Sequence, residues 1–159
     1  MSDVQLHNNA LYFAISAASV IVFIIALGPG LFNNAGAQEF SWQYRGFELL
    51  CHQLRDRSYQ ISGTPMAVCS RCIGIYGAFM VAWLSLPLLS KIRISYKAKI
   101  GWLIGVIILN LGDVFGNFFN LWSNTLNSRL LLGILLGISV ALLFNNDFYS
   151  LKKRMDYGK

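Results

Sequence analysis

Four long apolar stretches, separated by short polar segments, are the feature that most constrains how this chain can fold. A helix needs roughly 20 apolar residues to cross the hydrocarbon core of a membrane. Only 13% of the 159 residues are charged, whereas soluble domains carry about 25%. The sequence therefore predicts an all-α integral membrane protein that forms a single domain over residues 1–159. We expect spans at about 11–32, 71–89, 100–119 and 129–146.

The first apolar stretch has a rival interpretation as a signal peptide, because Ala35-Gly36-Ala37 resembles a small-residue cleavage site. However, the segment before it has no Lys or Arg and contains Asp3. The apolar run is also longer than the core of a signal peptide, which has about 7–15 residues. We therefore expect a helix that is retained in the protein.

The basic residues predict the orientation of the chain in the membrane. Two segments contain eight of the thirteen: Lys91, Arg93, Lys97, Lys99, Lys152, Lys153, Arg154 and Lys159. Four crossings would place both segments on one side, and short basic loops face the cytoplasm. We predict a multi-pass protein of the plasma (inner) membrane with both termini in the cytoplasm. The lipid bilayer is its expected partner, with minor anionic-lipid contacts, and the charge distribution argues against nucleic-acid binding.

The segment 33–70 is the longest one outside the predicted spans and would lie outside the cell. A helical period begins at Phe47 and predicts a short interfacial amphipathic helix. Its apolar face would contain Phe47, Leu50, Cys51 and Leu54. The run Ser62-Gly63-Thr64-Pro65 predicts a turn, and Ser70 is the expected N-cap of the second span.

All three cysteines of the chain lie in this outer segment or directly after it: Cys51, Cys69 and Cys72. A Cys-x-x-Cys pair together with a second pair of Cys or His ligands is typical of tetrahedral zinc sites. Here His52 follows Cys51, and 16 residues separate His52 from Cys69. We therefore predict a metal site, with zinc as the expected ion. Adjacent side chains diverge by roughly 100° on a helix, so Cys51 and His52 bind one ion together only where the backbone bends.

Three alternatives to the metal site remain open from the sequence. Cys69 and Cys72 also fit a redox pair at a helix N-terminus, where the helix dipole and Arg71 would lower the thiol pKa. Such a pair, with Cys51 as a resolving thiol, would make the chain a thiol–disulfide oxidoreductase linked to a membrane quinone. In the second alternative the cysteines form a structural disulfide or are buried thiols. In the third the chain is a non-catalytic subunit of a larger complex, with a membrane-protein partner.

One stripe of the third predicted helix carries polar residues: Asn110, Asp113, Asn117 and Asn120. An ionisable side chain inside a span usually faces the bundle interior and indicates a functional site. Arg129, at the start of the fourth helix, is the expected partner of Asp113. Asp113 and Arg129 are therefore candidate catalytic residues, with Asp113 or Glu48 as a base beside a metal-bound water. The alternative is an Asp–Arg ion pair that only joins two helices.

Glycines four residues apart recur in two of the predicted helices: Gly101/Gly105, Gly112/Gly116 and Gly133/Gly137. Small residues at this spacing let helix backbones approach closely in a membrane, where lipid is as apolar as the side chains. The three pairs predict a compact bundle.

The cysteine motif resembles that of a family of prokaryotic predicted membrane proteins, the domain-of-unknown-function family 2085. The similar residues are Cys51-His52-Gln53, Arg57-Ser58, Val68-Cys69-Ser70-Arg71-Cys72-Ile73-Gly74-Ile75-Tyr76, Asp113, and Arg129 with Gly133. The resemblance covers about residues 45–140. It implies a shared site that includes the cysteines, and it implies no particular reaction.

Overall fold

A computed structural model describes residues 4–6, 9–32, 41–89, 94–144 and 148–151, and the described chain is mostly helical. The helices are α1 (Asn9–Leu27), α2 (Ser41–Phe47), α3 (Ser70–Leu84), α4 (Leu86–Leu89), α5 (Tyr96–Phe118) and α6 (Leu126–Leu143). The strands are β1 (Val4–Leu6), β2 (Gln60–Ile61), β3 (Thr64–Pro65) and β4 (Tyr149–Leu151). Short 3-10 turns cover Pro29–Phe32 and Arg55–Arg57.

Among the described helices, α1, α5 and α6 are long and apolar enough to cross a membrane. Each overlaps a predicted span, with different bounds. Helix α1 ends at Leu27, short of residue 32, because Gly28 has a φ of +80° and closes the helix. Helix α6 begins at Leu126, earlier than expected, because the Thr125 side chain accepts a hydrogen bond from the backbone N–H of Ser128 and caps it.

The second predicted span, 71–89, is divided in the structure. Helix α3 has 15 residues and ends at Leu84, and α4 follows after Ser85. Pro87 explains the break because it has no N–H to donate to the Trp83 carbonyl. That carbonyl instead accepts a hydrogen bond from the Tyr12 hydroxyl of α1, at 3.3 Å. At the other end of α3 the N-cap is Cys69, one residue before the expected Ser70.

Helices α3 and α6 form the most extensive contact of the bundle and run in the same direction. A Cβ placed on Gly133 would overlap the Arg71 carbonyl oxygen, and one on Gly137 would overlap that of Ile75. Gly74 of α3 lies equally close to the Leu130 carbonyl. Because three glycines face backbone atoms, these two helices approach more closely than any side chain would allow. The predicted role of the Gly133/Gly137 pair is confirmed.

The two ends of the bundle differ in composition. At the first, which we call the aromatic end, Tyr12, Trp83, Leu86 and Phe148 form a buried cluster. Strand β1 pairs there with β4 in antiparallel register, so the segments next to the two termini lie side by side. The opposite end, which we call the cysteine end, contains the three cysteines within a second apolar cluster.

The chain between α1 and α3 differs from the expected amphipathic helix. Helix α2 ends at Phe47, where the predicted helix was to begin, and residues 48–54 are not helical. The amides of Leu50 and Cys51 both donate to the Phe47 carbonyl, which turns the chain. The predicted turn at residues 62–65 is present: Ser62 and Gly63 have positive φ and connect the paired strands β2 and β3.

Some predicted features lie outside the described residues. They are segment 33–40 of the outer loop, Lys91 and Arg93 of the basic loop, the end of the last span at 145–146, and the basic tail 152–159.

Candidate metal centre

The bend after α2 carries Cys51 into the interior and leaves His52 outside. Gln53 has a φ of +48°, so the chain does not continue as a helix past Cys51. The Gln53 side chain donates to the Tyr44 carbonyl at 2.5 Å and fixes the turn. As a result Cys51 is buried, with 5% of its surface exposed, whereas His52 is exposed.

The first turn of α3 supplies the other two thiols. Cys69 is the N-cap and Cys72 lies in the first helical turn, so both side chains stand at the cysteine end. The Cys69 amide donates to the Cys51 sulfur at 3.1 Å. This contact joins the bend after α2 to the start of α3. The Sγ atoms of Cys69 and Cys72 are 3.6 Å apart, and all three Sγ atoms lie within 4.8 Å of one another.

These distances match a tetrahedral thiolate site. Zn–S bonds of about 2.3 Å require sulfur atoms roughly 3.8 Å apart in a tetrahedron. All three cysteines are free thiols. Hydrogen bonds with the Cys51 and Cys72 thiols lower the pKa of the Cys69 thiol to about 2. These bonds favour the thiolate of Cys69, which is the form that binds metal.

The thiols are surrounded by apolar side chains. Ala26, Ala67, Val68 and Ile73 are buried around Cys51. The end of α1 packs onto the same segment: a Cβ on Gly28 would lie 2.7 Å from the Ala67 amide nitrogen. Because these residues exclude water from one side of the cluster, a bound ion would be held in a rigid, partly dry site.

Asp113 pairs with a different arginine from the one expected. Its carboxylate accepts a hydrogen bond from the Arg71 guanidinium in a partly buried ion pair. The Asn124 side chain donates to the same carboxylate oxygen at 2.7 Å. Arg129 is nearby and is attracted by Asp113, but it is repelled by Arg57 and Arg71. The Arg71 side chain, from the first turn of α3, reaches the Asp113 carboxylate of α5 directly.

The structure thus brings together Cys51, Cys69 and Cys72 and leaves the His52 side chain outside this group of thiols. Asp113 is connected to the group by its ion pair with Arg71, which lies between Cys69 and Cys72 in the sequence. The sequence interpretation missed Asn124 as a partner of Asp113. No spacing pointed to it, because Asn124 lies in an irregular segment between α5 and α6.

The site lies within a region that known proteins share. The model of the family described as "Predicted membrane protein (DUF2085)" matches residues 51–143. This chain belongs to that family. The match begins at Cys51 and includes the other two cysteines, Arg71 and Asp113.

A relative in Methanocaldococcus jannaschii, an uncharacterized protein, is 26% identical over 149 residues. The alignment covers 88% of this chain and 94% of the relative. No solved structure matches the chain. The comparisons therefore support a membrane protein of this family and add no reaction or ligand.

Proposed function

We propose that Cys51, Cys69 and Cys72 bind a zinc ion at the cysteine end of the bundle. The observation that carries this proposal is the approach of three Sγ atoms to within 4.8 Å of one another. Cys51 is far from both Cys69 and Cys72 in the sequence, so its approach to them does not follow from sequence proximity. Buried next to them is the Ser70 hydroxyl, which has no hydrogen-bond partner among the described residues and is available as a donor to a thiolate ligand.

The role that fits this arrangement best is structural. A zinc ion there would join the bend after α2 to the first turn of α3, and a closed structural site of this kind would need one protein ligand besides the three thiols. Asp113 is held by Arg71 and Asn124, which supports a role for its carboxylate in the contact between helices rather than as a base. The fourth ligand remains a prediction, with His52 as the candidate because it neighbours Cys51; its exposed side chain lies outside the group of thiols and would have to turn inward to bind.

Metal analysis of the purified protein tests the site. Elemental mass spectrometry should find about one zinc per chain, and Cys69→Ser or Cys51→Ser should lose it. His52→Gln tests the fourth ligand, and His7→Gln, which changes the other histidine of the chain, is its matched control. A wild-type protein purified under reducing conditions without metal, and with unchanged thermal unfolding after chelation, would contradict the proposal.

A thiol–disulfide oxidoreductase is the second candidate, favoured by the 3.6 Å between the Sγ atoms of Cys69 and Cys72 at the start of a helix. Oxidation would join the two sulfurs and release two protons and two electrons, which would reduce a membrane quinone to the quinol. Thiol trapping distinguishes the candidates. A metal-free protein with a Cys69–Cys72 bond that reforms on addition of quinone would support the redox function.

For the topology, we propose four crossings in the plasma membrane with both termini in the cytoplasm. Helices α1, α5 and α6 account for three crossings, and α3 and α4 together supply the remaining one, over residues 70–89. The antiparallel contact of α1 with α3 and the pairing of β1 with β4 support an even number of crossings. After metal removal or reduction, an impermeant thiol reagent should label Cys69 in intact cells. Labelling only after lysis would reverse the orientation.

A further inference from the structure

An apolar groove runs along α3 between α1 and α6. Its volume is about 720 Å³, within the range of about 300–1,000 Å³ found for small-molecule sites. Its walls are almost entirely apolar and include Phe23 of α1, Ile73, Gly77 and Val81 of α3, and Leu130 and Ile134 of α6. Gly77 of α3 lies against the Phe23 ring of α1, where an added Cβ would come within 2.9 Å of a ring carbon.

The basic residues near the cysteine end of this groove are all arginines. Five of the thirteen basic residues precede α3, lie in its first turn or begin α6: Arg45, Arg55, Arg57, Arg71 and Arg129. All six lysines lie in the segment 91–99 or after residue 151. Arginine presents a planar fork of donors that matches phosphate oxygens, which a lysine ammonium does not. The composition of this end therefore favours binding of an oxyanion.

The charge of Arg129 is only partly offset by its neighbours. This side chain is half-buried, and both Arg57 and Arg71 repel it. Asp113 attracts it, but that carboxylate is already paired with Arg71, and Arg129 has no ion pair within the described residues. The Nε of Arg71 is also buried without a hydrogen-bond partner in that part of the chain. Like charges held together without enough counter-charge indicate a site for an anion.

These arginines lie at the cysteine end of the groove. Arg129 directly precedes the lining residue Leu130, and Arg57 is two residues before Tyr59, which also lines the groove. The Tyr59 hydroxyl donates to the Asn127 side chain at 2.6 Å, which joins the segment of Arg57 to the first turn of α6. The segments that carry Arg57 and Arg129 therefore meet at this end of the groove.

We propose that this surface binds one anionic membrane lipid, with its phosphate on Arg57 and Arg129 and an acyl chain in the groove. Lipid binding of this kind depends neither on a bound metal nor on which side of the membrane the cysteine end faces. The lipid phosphate would supply the counter-charge that Asp113 does not. The acyl chain would occupy the groove between α1 and α6, next to the close α3–α6 contact.

The head-group part of the proposal is tested on the purified full chain in neutral detergent. Dioctanoyl-phosphatidylglycerol should bind about tenfold more tightly than dioctanoyl-phosphatidylcholine, which has the same acyl chains. Arg129→Gln and Arg57→Gln should each remove most of this preference. Arg45 and Arg55 are exposed like Arg57 but are not among the charges that act on Arg129, so Arg45→Gln and Arg55→Gln are matched controls that should keep it. Equal binding of the two lipids by the wild type would overturn the proposal.

The acyl-chain part needs a different pair of variants. Val81→Trp would fill the groove from an exposed position, whereas Leu131→Trp adds the same ring to an exposed position of α6 outside it. Val81→Trp should weaken phosphatidylglycerol binding about tenfold, and Leu131→Trp should leave it unchanged. An unchanged affinity in Val81→Trp, or inorganic phosphate binding as tightly as the lipid, would show that no lipid chain is recognised. The zinc content of each variant, measured in parallel, separates this outcome from a failure of the metal site.

Discussion

Helix α6 is joined to its two neighbours in different ways. Against α3 its glycines lie on backbone atoms, with Gly133 over Arg71 and Gly137 over Ile75. Against α5 the contacts include polar side chains, because the Asn110 amide donates to the Leu132 carbonyl at 3.3 Å. The glycines Gly101, Gly105 and Gly112 of α5 have no atom of another element within 4 Å of an added Cβ in the described structure.

The difference shows that glycine spacing alone does not form an interface. Helices in a membrane associate through close packing or through hydrogen bonds, and lipid competes equally well for apolar side chains. The α3–α6 contact uses the first means and positions the start of α3, which carries Cys69 and Cys72. The α5–α6 contact uses hydrogen bonds. In addition, the ion pair of Asp113 and Arg71 joins α5 to the same first turn of α3.

The largest effect should come from filling the α3–α6 contact. Gly133→Val would place a branched side chain where the Arg71 carbonyl lies, and neither backbone can move without separating the helices. We expect a loss of about 3 kcal/mol in unfolding free energy, at the upper end of overpacking effects. Zinc content should also fall because the first turn of α3 is displaced. Chemical unfolding in detergent micelles measures the first quantity.

Gly105→Val is the matched control for this variant. It adds the same side chain at the same spacing in another helix, at a position with open space around it. Its unfolding free energy should remain within about 0.5 kcal/mol of the wild type. Equal losses in the two variants would mean that helix propensity, rather than the α3–α6 contact, determines the result.

The next largest effect should come from the ion pair that joins α5 to α3. Asp113→Asn leaves the Arg71 guanidinium without its carboxylate, and breaking a fully buried pair costs about 3–5 kcal/mol. Here the side chains of Arg71 and Asp113 remain 21% and 13% exposed, so water lessens the loss. We expect about 2 kcal/mol.

A double-mutant cycle with Arg71→Met provides the control for the ion pair. The double variant should be more stable than Asp113→Asn alone, since it removes the unpaired charge. Arg129→Met in the same cycle should show little coupling to Asp113. A stronger coupling with Arg129 than with Arg71 would restore the pairing that the sequence predicted.

These comparisons also show how far the sequence could be interpreted. Apolar length located α1, α5 and α6 because a span must be apolar along its whole length. The Cys-x-x-Cys spacing identified two thiols that lie together at the start of α3. Which of Cys51 and His52 approaches the other two cysteines depends on a bend after Phe47, which the helical period did not predict. The partner of Asp113 likewise depends on a contact between side chains of α3 and α5 that lie 42 positions apart in the chain.

A smaller effect is expected from the hydrogen bond between α5 and α6. Asn110→Leu removes the bond to the Leu132 carbonyl, and such bonds in membrane bundles contribute about 0.6 kcal/mol on average. The variant also removes the side-chain amide oxygen of Asn110, Oδ1, which is buried without a partner among the described residues. The loss should therefore stay below about 1 kcal/mol. A loss equal to that of Asp113→Asn would show that Asn110, rather than the ion pair, holds α5 in place.

The smallest effect should come from the open glycines of α5. Gly101→Ala and Gly105→Ala add a methyl group that meets no other element of the described structure. Alanine favours a helix by roughly 0.5–1 kcal/mol over glycine in water, so the isolated protein should be unchanged or slightly more stable. The same variants, crosslinked in native membranes, test whether this face contacts a second protein. A large loss of stability in the purified chain would mean that α5 packs through these glycines after all, and the contrast between the two interfaces of α6 would no longer hold.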